Sequence, residues 1–116
     1  MNLLSMKRNQ TWRIMISCNI RSLLCHFHDL LLTPDILRTD VICLQEIWLN
    51  SAPKGLFEIK GFHCKLNSAG RGKGTVTYYR PGYYHIEERN SNLYQMTKVS
   101  NRKYDIELLS NRWRIL

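Results

Sequence analysis

The sequence predicts an α/β domain built around a mixed sheet. Three observations predict it. Two short apolar runs, Trp12-Arg13-Ile14-Met15-Ile16-Ser17-Cys18 and Val41-Ile42-Cys43-Leu44, flank a segment whose apolar residues recur at helical spacing. The second half is cut into short strand-like pieces by Pro53, Gly55, Gly61, Gly70, Gly72, Gly74, Pro81 and Gly82. The whole chain has 116 residues and a mass of 13.8 kDa, which suits one small domain and no second one.

Taken in order, the Trp12–Cys18 run stops at Asn19 and reads as a buried strand. Ser22 is placed to cap a helix that carries Leu23, Leu24, Phe27, Leu30 and Leu31, and Pro34 stops or restarts that helix. Val41–Leu44 is a second buried strand and ends at Gln45-Glu46. Strand, helix and strand at this spacing form a βαβ unit, whose right-handed crossover makes the two strands parallel. Beyond it, Phe57–Ile59, Thr75–Arg80, Tyr83–Ile86, Leu93–Thr97 and Tyr104–Leu109 read as antiparallel strands with tight connections. Residues 1–11 and 110–116 are expected to be tails, the second of them frayed unless Trp113 and Ile115 cover apolar surface.

Composition narrows the class. Hydrophobic residues are 44% of the chain and charged residues 22%, which excludes a disordered polyelectrolyte. Seventeen Lys and Arg against nine Asp and Glu leave a formal charge of +8, so polyanions, nucleic acid first, are the expected partners. No window is apolar enough to span a bilayer, and the N-terminus places its apolar residues before its charges, the reverse of a secretory signal. The cysteines at 18, 25, 43 and 64 form no C-x-x-C pair and predict reduced, mostly buried thiols of an intracellular protein. Cys18, Cys25, His26 and His28 are loosely zinc-like in spacing but lack a second ligand pair.

In an open α/β sheet, ligands collect beyond the carboxyl ends of parallel strands. Asn19 and Glu46 stand at those two ends, on one edge of the sheet. An amide oxygen and a carboxylate are hard donors of the kind Mg²⁺ takes, and a divalent ion there would hold phosphate oxygens. Polar residues also commonly end strands for no chemical reason.

The local sequence carries a resemblance. Ser17-Cys18-Asn19-Ile20-Arg21-Ser22-Leu23 resembles the first motif of the endonuclease/exonuclease/phosphatase superfamily. Asp40-Val41-Ile42-Cys43-Leu44-Gln45-Glu46-Ile47-Trp48-Leu49 is similar to its second, a buried strand ending in Gln-Glu. Gly70-Arg71-Gly72-Lys73-Gly74-Thr75-Val76-Thr77-Tyr78-Tyr79-Arg80 is similar to its glycine-rich turn and following strand. The combination most resembles the endonuclease domains of LINE-type (non-LTR) retrotransposons and runs from Trp12 to Leu109. The resemblance implies a four-layer α/β sandwich (DNase I-like) with two mixed sheets face to face, of which residues 12–109 would be the N-terminal half. It implies a hydrolase that cuts phosphodiester bonds in DNA with Mg²⁺ or Mn²⁺, has no organic cofactor, and works in the nucleus beside a reverse transcriptase. Asn19 and Glu46 match the residues of the family's metal and phosphate site.

The chain departs from the family pattern in its later motifs. The family supplies an Asp with a nearby Asn, then Ser-Asp-His, whereas here Asp105 is the only aspartate after Asp40 and His85 is the last histidine. The sequence therefore reads as a truncated domain, inactive alone, whose partner is the missing half. The alternatives are a non-catalytic basic module that binds nucleic acid, or a fragment without selected function. A half sandwich is expected to leave an apolar sheet face and open edges exposed.

The segment from Lys54 to Arg80 holds six Lys and Arg against Glu58 alone. Arg71, Lys73 and Arg80 are its candidate DNA-phosphate contacts, with a plain solvated loop as the other reading. Trp48 is placed either at the rim of the site or in the core. Tyr78, Tyr79, Tyr83 and Tyr84 offer stacking surfaces, though alternation along a strand turns about half of such residues inward. His26 and His28 have surface or packing roles.

Overall fold

The structure is a computed structural model that describes residues 2–8, 11–49, 55–67, 74–90, 95–100, 105–109 and 112–115. Strands β1 (Asn2–Arg8) and β2 (Thr11–Asn19) pair antiparallel. Helix α1 (Leu23–Leu31) and a 3-10 turn (Pro34–Arg38) follow, then strand β3 (Val41–Gln45). The chain continues through β4 (His63–Asn67), β5 (Thr75–Tyr79), β6 (Tyr84–Asn90), β7 (Gln95–Ser100), β8 (Asp105–Leu109) and β9 (Arg112–Ile115). Two sheets result, one ordered β1-β2-β3-β5-β4 and the other β6-β7-β8-β9.

The βαβ unit forms as the sequence dictates. β2 and β3 are parallel, with Met15 opposite Val41 and Asn19 opposite Gln45. Asp40 sets this register at its start: its amide donates to Ile14 O at 2.8 Å and its carboxylate accepts from Ile14 N at 2.9 Å. The remaining pairs of the first sheet, β1–β2, β3–β5 and β4–β5, are antiparallel, so the sheet is mixed. Ser22 caps α1, its hydroxyl accepting from Cys25 N at 3.3 Å. Leu23, Phe27 and Leu30 lie one or two turns apart and pack on the sheet, whereas Leu24 and Leu31, equally apolar, face solvent.

Alternation along the central strands divides the core in two. Ile16, Ile42, Leu44, Val76 and Tyr78 point to the helical side, where Leu23, Ile36, Phe57 and Ile59 cover them. Each fully buried aliphatic side chain there contributes about 2 kcal/mol by leaving water. Met15, Val41 and Tyr79 point the other way and meet Val99, Ile106 and Trp113 of the second sheet, with Tyr83 between. The layers are therefore helix and loops, first sheet, second sheet. The radius of gyration is 13.4 Å, close to the value of about 13 Å typical of a compact domain of this size.

Several expectations change. Both expected tails carry strands: residues 2–8 pair with β2, and Arg112–Ile115 pairs with β8 and brings Trp113 into the inter-sheet core. The second sheet faces the first, so these sheets cover each other, and among the described residues its outer face carries Lys98, Glu107 and Arg114 beside Met96 and Leu109. Arg114 grips Glu107 through Nε at 2.8 Å and Nη2 at 2.7 Å. Phe57–Ile59 is a turn, held because Tyr78 Oη donates to Phe57 O at 2.6 Å, and both apolar side chains plug the helical-side core. His63–Asn67 forms an edge strand whose mostly exposed residues give no apolar run to read. Of the four thiols only Cys43 is buried; Cys25 and Cys64 are exposed and Cys18 half-buried. Among the described residues no helix is long and apolar enough to cross a membrane.

Candidate functional site

The parallel pair continues past its strands as two loops held side by side. Ile20 N donates to Gln45 O at 3.0 Å, Ser22 N to Glu46 O at 2.9 Å and Leu23 N to Ile47 O at 3.0 Å. Asn19 is thus the last residue of β2 and Glu46 the first beyond β3, on the same edge of the sheet. Ile20 and Ile47 are buried beneath them and anchor the loops by burial. Asn19 is exposed, Glu46 is half-buried, and Trp48 stands 50% exposed beside them, which favours the rim over the core.

The backbone of these loops is strained. Arg21 (φ 44), Ser22 (φ 87), Glu46 (φ 53) and Trp48 (φ 55) are the positive-φ residues other than glycine among the described residues, and all four lie here. Such conformations cost on the order of 1 kcal/mol each and persist where the surroundings over-determine them, commonly at functional sites. The first turn of α1, capped by Ser22, begins at the same edge.

Behind the loops the inter-sheet layer turns from apolar to polar. Ser17, Cys43, Gln45, Thr75, Thr77 and Thr97 are all buried. Gln45 Nε2 donates to Ser17 Oγ at 3.0 Å and to Cys43 O at 3.3 Å, and Cys43 Sγ lies 3.6 Å from Thr97 Oγ1 of the second sheet. This network was not identified from the sequence. Its signal was Ser17 and Gln45, each directed by alternation to the same face as the strand ends.

The donor set suits a hard cation. One carboxylate and one amide oxygen fit Mg²⁺, which commonly takes one or two carboxylates and keeps its remaining water. Among the described residues no three His, Cys, Asp or Glu side chains gather to hold a metal ion.

Of the candidate phosphate contacts, only Arg80 lies among the described residues. Arg71 and Lys73 lie outside the described residues. Arg80 sits at the opposite end of the sheet, beyond Tyr79, which pairs with Val41 at the start of β3. Its guanidinium lies 3.9 Å over the Phe62 ring, its Nε donates to Thr39 O at 3.1 Å, and its amide to Asp40 O at 2.9 Å. His26 and His28 are exposed on α1, with His26 Nδ1 3.9 Å from Asp29 Oδ2.

No protein-family model matches the chain, and no curated protein matches it.

Proposed function

We propose that the chain carries the metal-binding part of a Mg²⁺- or Mn²⁺-dependent phosphodiesterase of the endonuclease/exonuclease/phosphatase kind, most like the endonuclease domains of LINE-type retrotransposons, with DNA as substrate. The fold in this reading is the N-terminal half of a DNase I-like sandwich. One observation carries the reading: the parallel β2–β3 pair sets Asn19 and Glu46 on one sheet edge, in two hydrogen-bonded loops under backbone strain. The face-to-face sheets support it as well.

Asn19 and Glu46 would supply the amide and carboxylate oxygens that hold the ion. When bound, the ion holds phosphate oxygens and draws charge from them. Trp48 forms part of the rim, and the Ser17–Gln45 pair keeps the two strand ends in register. An oriented water and its base come, in this reading, from another segment, in the same protein or in trans.

Titrating Mn²⁺ into the ¹⁵N-labelled chain tests the assignment. Paramagnetic broadening is expected at the amides of Asn19, Ile20, Glu46 and Ile47, and is expected to vanish in Glu46→Gln. Broadening elsewhere, or none at these amides, overturns it.

A further inference from the structure

The tyrosines of residues 78–84 separate into distinct classes. Tyr78 and Tyr83 are buried, Tyr79 is half-buried, and Tyr84 is 59% exposed. His63 of β4 stands opposite Tyr79 in the β4–β5 register, its ring centroid 5.4 Å from that of Tyr79 and tilted by 36°. Together with Pro81, Gly82, Tyr83 and Tyr84 these two rings line an open hollow of about 400 Å³. Gly82 adopts φ +99, and a Cβ added there would meet nothing within 4 Å, so the mouth is clear of neighbouring side chains at that point.

A second hollow adjoins it. Glu58, Ile59, Lys60, Gly61, Phe62 and Cys64 line it, and His63 belongs to both. The pair therefore offers aromatic rings on one side and an ammonium group on the other, and among the described residues Glu58 is the one acidic residue lining either hollow. Both lie at the end of the first sheet away from Asn19 and Glu46. The length of β3 separates the two ends, about 13 Å at the usual rise per residue.

We propose that the hollow is a stacking site for a base of single-stranded nucleic acid. A base presents an uncharged π face to Tyr84 and His63, while Lys60 in the adjoining hollow meets the backbone phosphate. Aromatic rings stack on any base, and basic side chains track the phosphates beside it. The net charge of +8 draws a polyanion to the surface, which favours a nucleic acid over an uncharged aromatic ligand. The strand must be single, because a base within a duplex has its faces covered by its neighbours and must leave the stack to enter such a hollow. The assignment does not rest on the metal reading, since no residue is shared between the two places.

Fluorescence anisotropy with labelled oligothymidylate tests it, at low salt and with EDTA present so that any metal-dependent activity is silent. A strand of the same length built of abasic units and a duplex of the same length serve as controls. Tyr84→Ala is expected to weaken binding of oligothymidylate by about tenfold, while Tyr84→Phe retains it. The abasic strand is expected to bind the wild type no better than oligothymidylate binds Tyr84→Ala. Duplex affinity is expected to be the same in wild type and Tyr84→Ala. Wild-type affinity in Tyr84→Ala overturns the proposal, as does equal binding of the abasic strand and oligothymidylate by the wild type. An equal loss for duplex and single strand also overturns it. If circular dichroism shows Tyr84→Ala unfolded, His63→Ala on the exposed edge strand takes its place, with the same outcomes read the same way.

Discussion

Gln45 Nε2 donates a 3.0 Å hydrogen bond to Ser17 Oγ across the parallel β2–β3 pair, two residues before Asn19 on one strand and one before Glu46 on the other. Both partners are buried, so the bond works in a medium where neither finds water in exchange. It ties together the two strand ends that carry the candidate site, and so links packing directly to the positioning of Asn19 and Glu46.

Ser17→Ala is expected to destabilise the chain by about 1–3 kcal/mol, because it leaves a buried amide short of a partner. Gln45→Leu removes the amide itself. The double variant is expected to lose less than the sum of the two single losses, with a coupling of about 1 kcal/mol. Urea unfolding of all four proteins measures this. Strict additivity would show that the pair does not act as a unit.

Tyr78 gives a pH dependence. Its phenol is pushed well above the ordinary tyrosine range, first by burial and then by the neighbouring Cys64 thiol. The folded chain holds this proton more tightly than the unfolded chain, whose tyrosines titrate near pH 10. The associated stability is therefore complete below about pH 10 and declines as pH rises above it. Tyr78→Phe is expected to cost about 1 kcal/mol at neutral pH, through loss of the 2.6 Å bond to Phe57 O, and to flatten that alkaline decline. Identical slopes for the two proteins above pH 10 would remove Tyr78 as the cause.

Glu46 sits at φ 53, a conformation glycine adopts without a Cβ penalty. Glu46→Gly is expected to leave stability unchanged or raise it by up to about 1 kcal/mol, while abolishing Mn²⁺ broadening at the strand ends. Opposite signs for stability and metal binding are the mark of a residue held in place for chemistry. A Glu46→Gly protein that unfolds more readily, by a kcal/mol or more, would show that the carboxylate is there for packing.

The βαβ unit was legible because each of its signals is local. Ile14–Ile16 and Val41–Leu44 are apolar on both faces, and both faces are covered in the structure, which is why the runs are continuous rather than alternating. The Ser22 cap and the parallel register followed from residue type and spacing. The missed strands are edges or ends. His63–Asn67 pairs on one side only and exposes most of its residues, and Arg112–Ile115 becomes a strand because β8 offers it a ladder, a long-range circumstance that no local pattern encodes. The site residues Asn19 and Glu46 were legible as strand ends, but the polar layer behind them depends on which sheet faces which. The neighbours of Arg80 were not legible either: its stacking on Phe62 and its bond to Thr39 O depend on tertiary contacts.

The surplus of basic residues predicts salt-sensitive duplex binding. Lys60 and Lys65 are exposed, and a protein that neutralises several phosphates loses affinity in proportion to the logarithm of salt concentration. Titration of a labelled duplex at several salt concentrations is expected to give a steep negative slope, and the Lys60→Ala/Lys65→Ala double variant a slope shallower by about 2. Binding indifferent to salt, or absent at low salt, would discard the segment as a DNA contact.

The chain alone is expected not to cut DNA. Hydrolysis of a phosphodiester needs a water aimed in line with the leaving oxygen, a group to take its proton, and charge stabilisation as the bond breaks. In the proposed reading Asn19 and Glu46 would account for the last through an ion they hold, and an ion with so few protein ligands would stay largely hydrated. Of the other groups that could complete the site, the side chain of His85 lies outside the described residues, while Tyr78 is buried with its phenol bonded to Phe57 O and Asp105 accepts a hydrogen bond from Ser100 Oγ on the second sheet. Neither stands at the edge formed by Asn19 and Glu46, so neither can serve as the base there. Groups that act together lose far more than additively when some are missing, by several orders of magnitude in rate. Purified chain incubated with supercoiled plasmid and Mg²⁺ or Mn²⁺ is therefore expected to leave the plasmid closed, with Glu46→Ala as the control for a contaminating nuclease. Nicking by the wild type that disappears in Glu46→Ala would mean that the chain holds its own base, and the division of labour proposed for Asn19 and Glu46 would have to be redrawn.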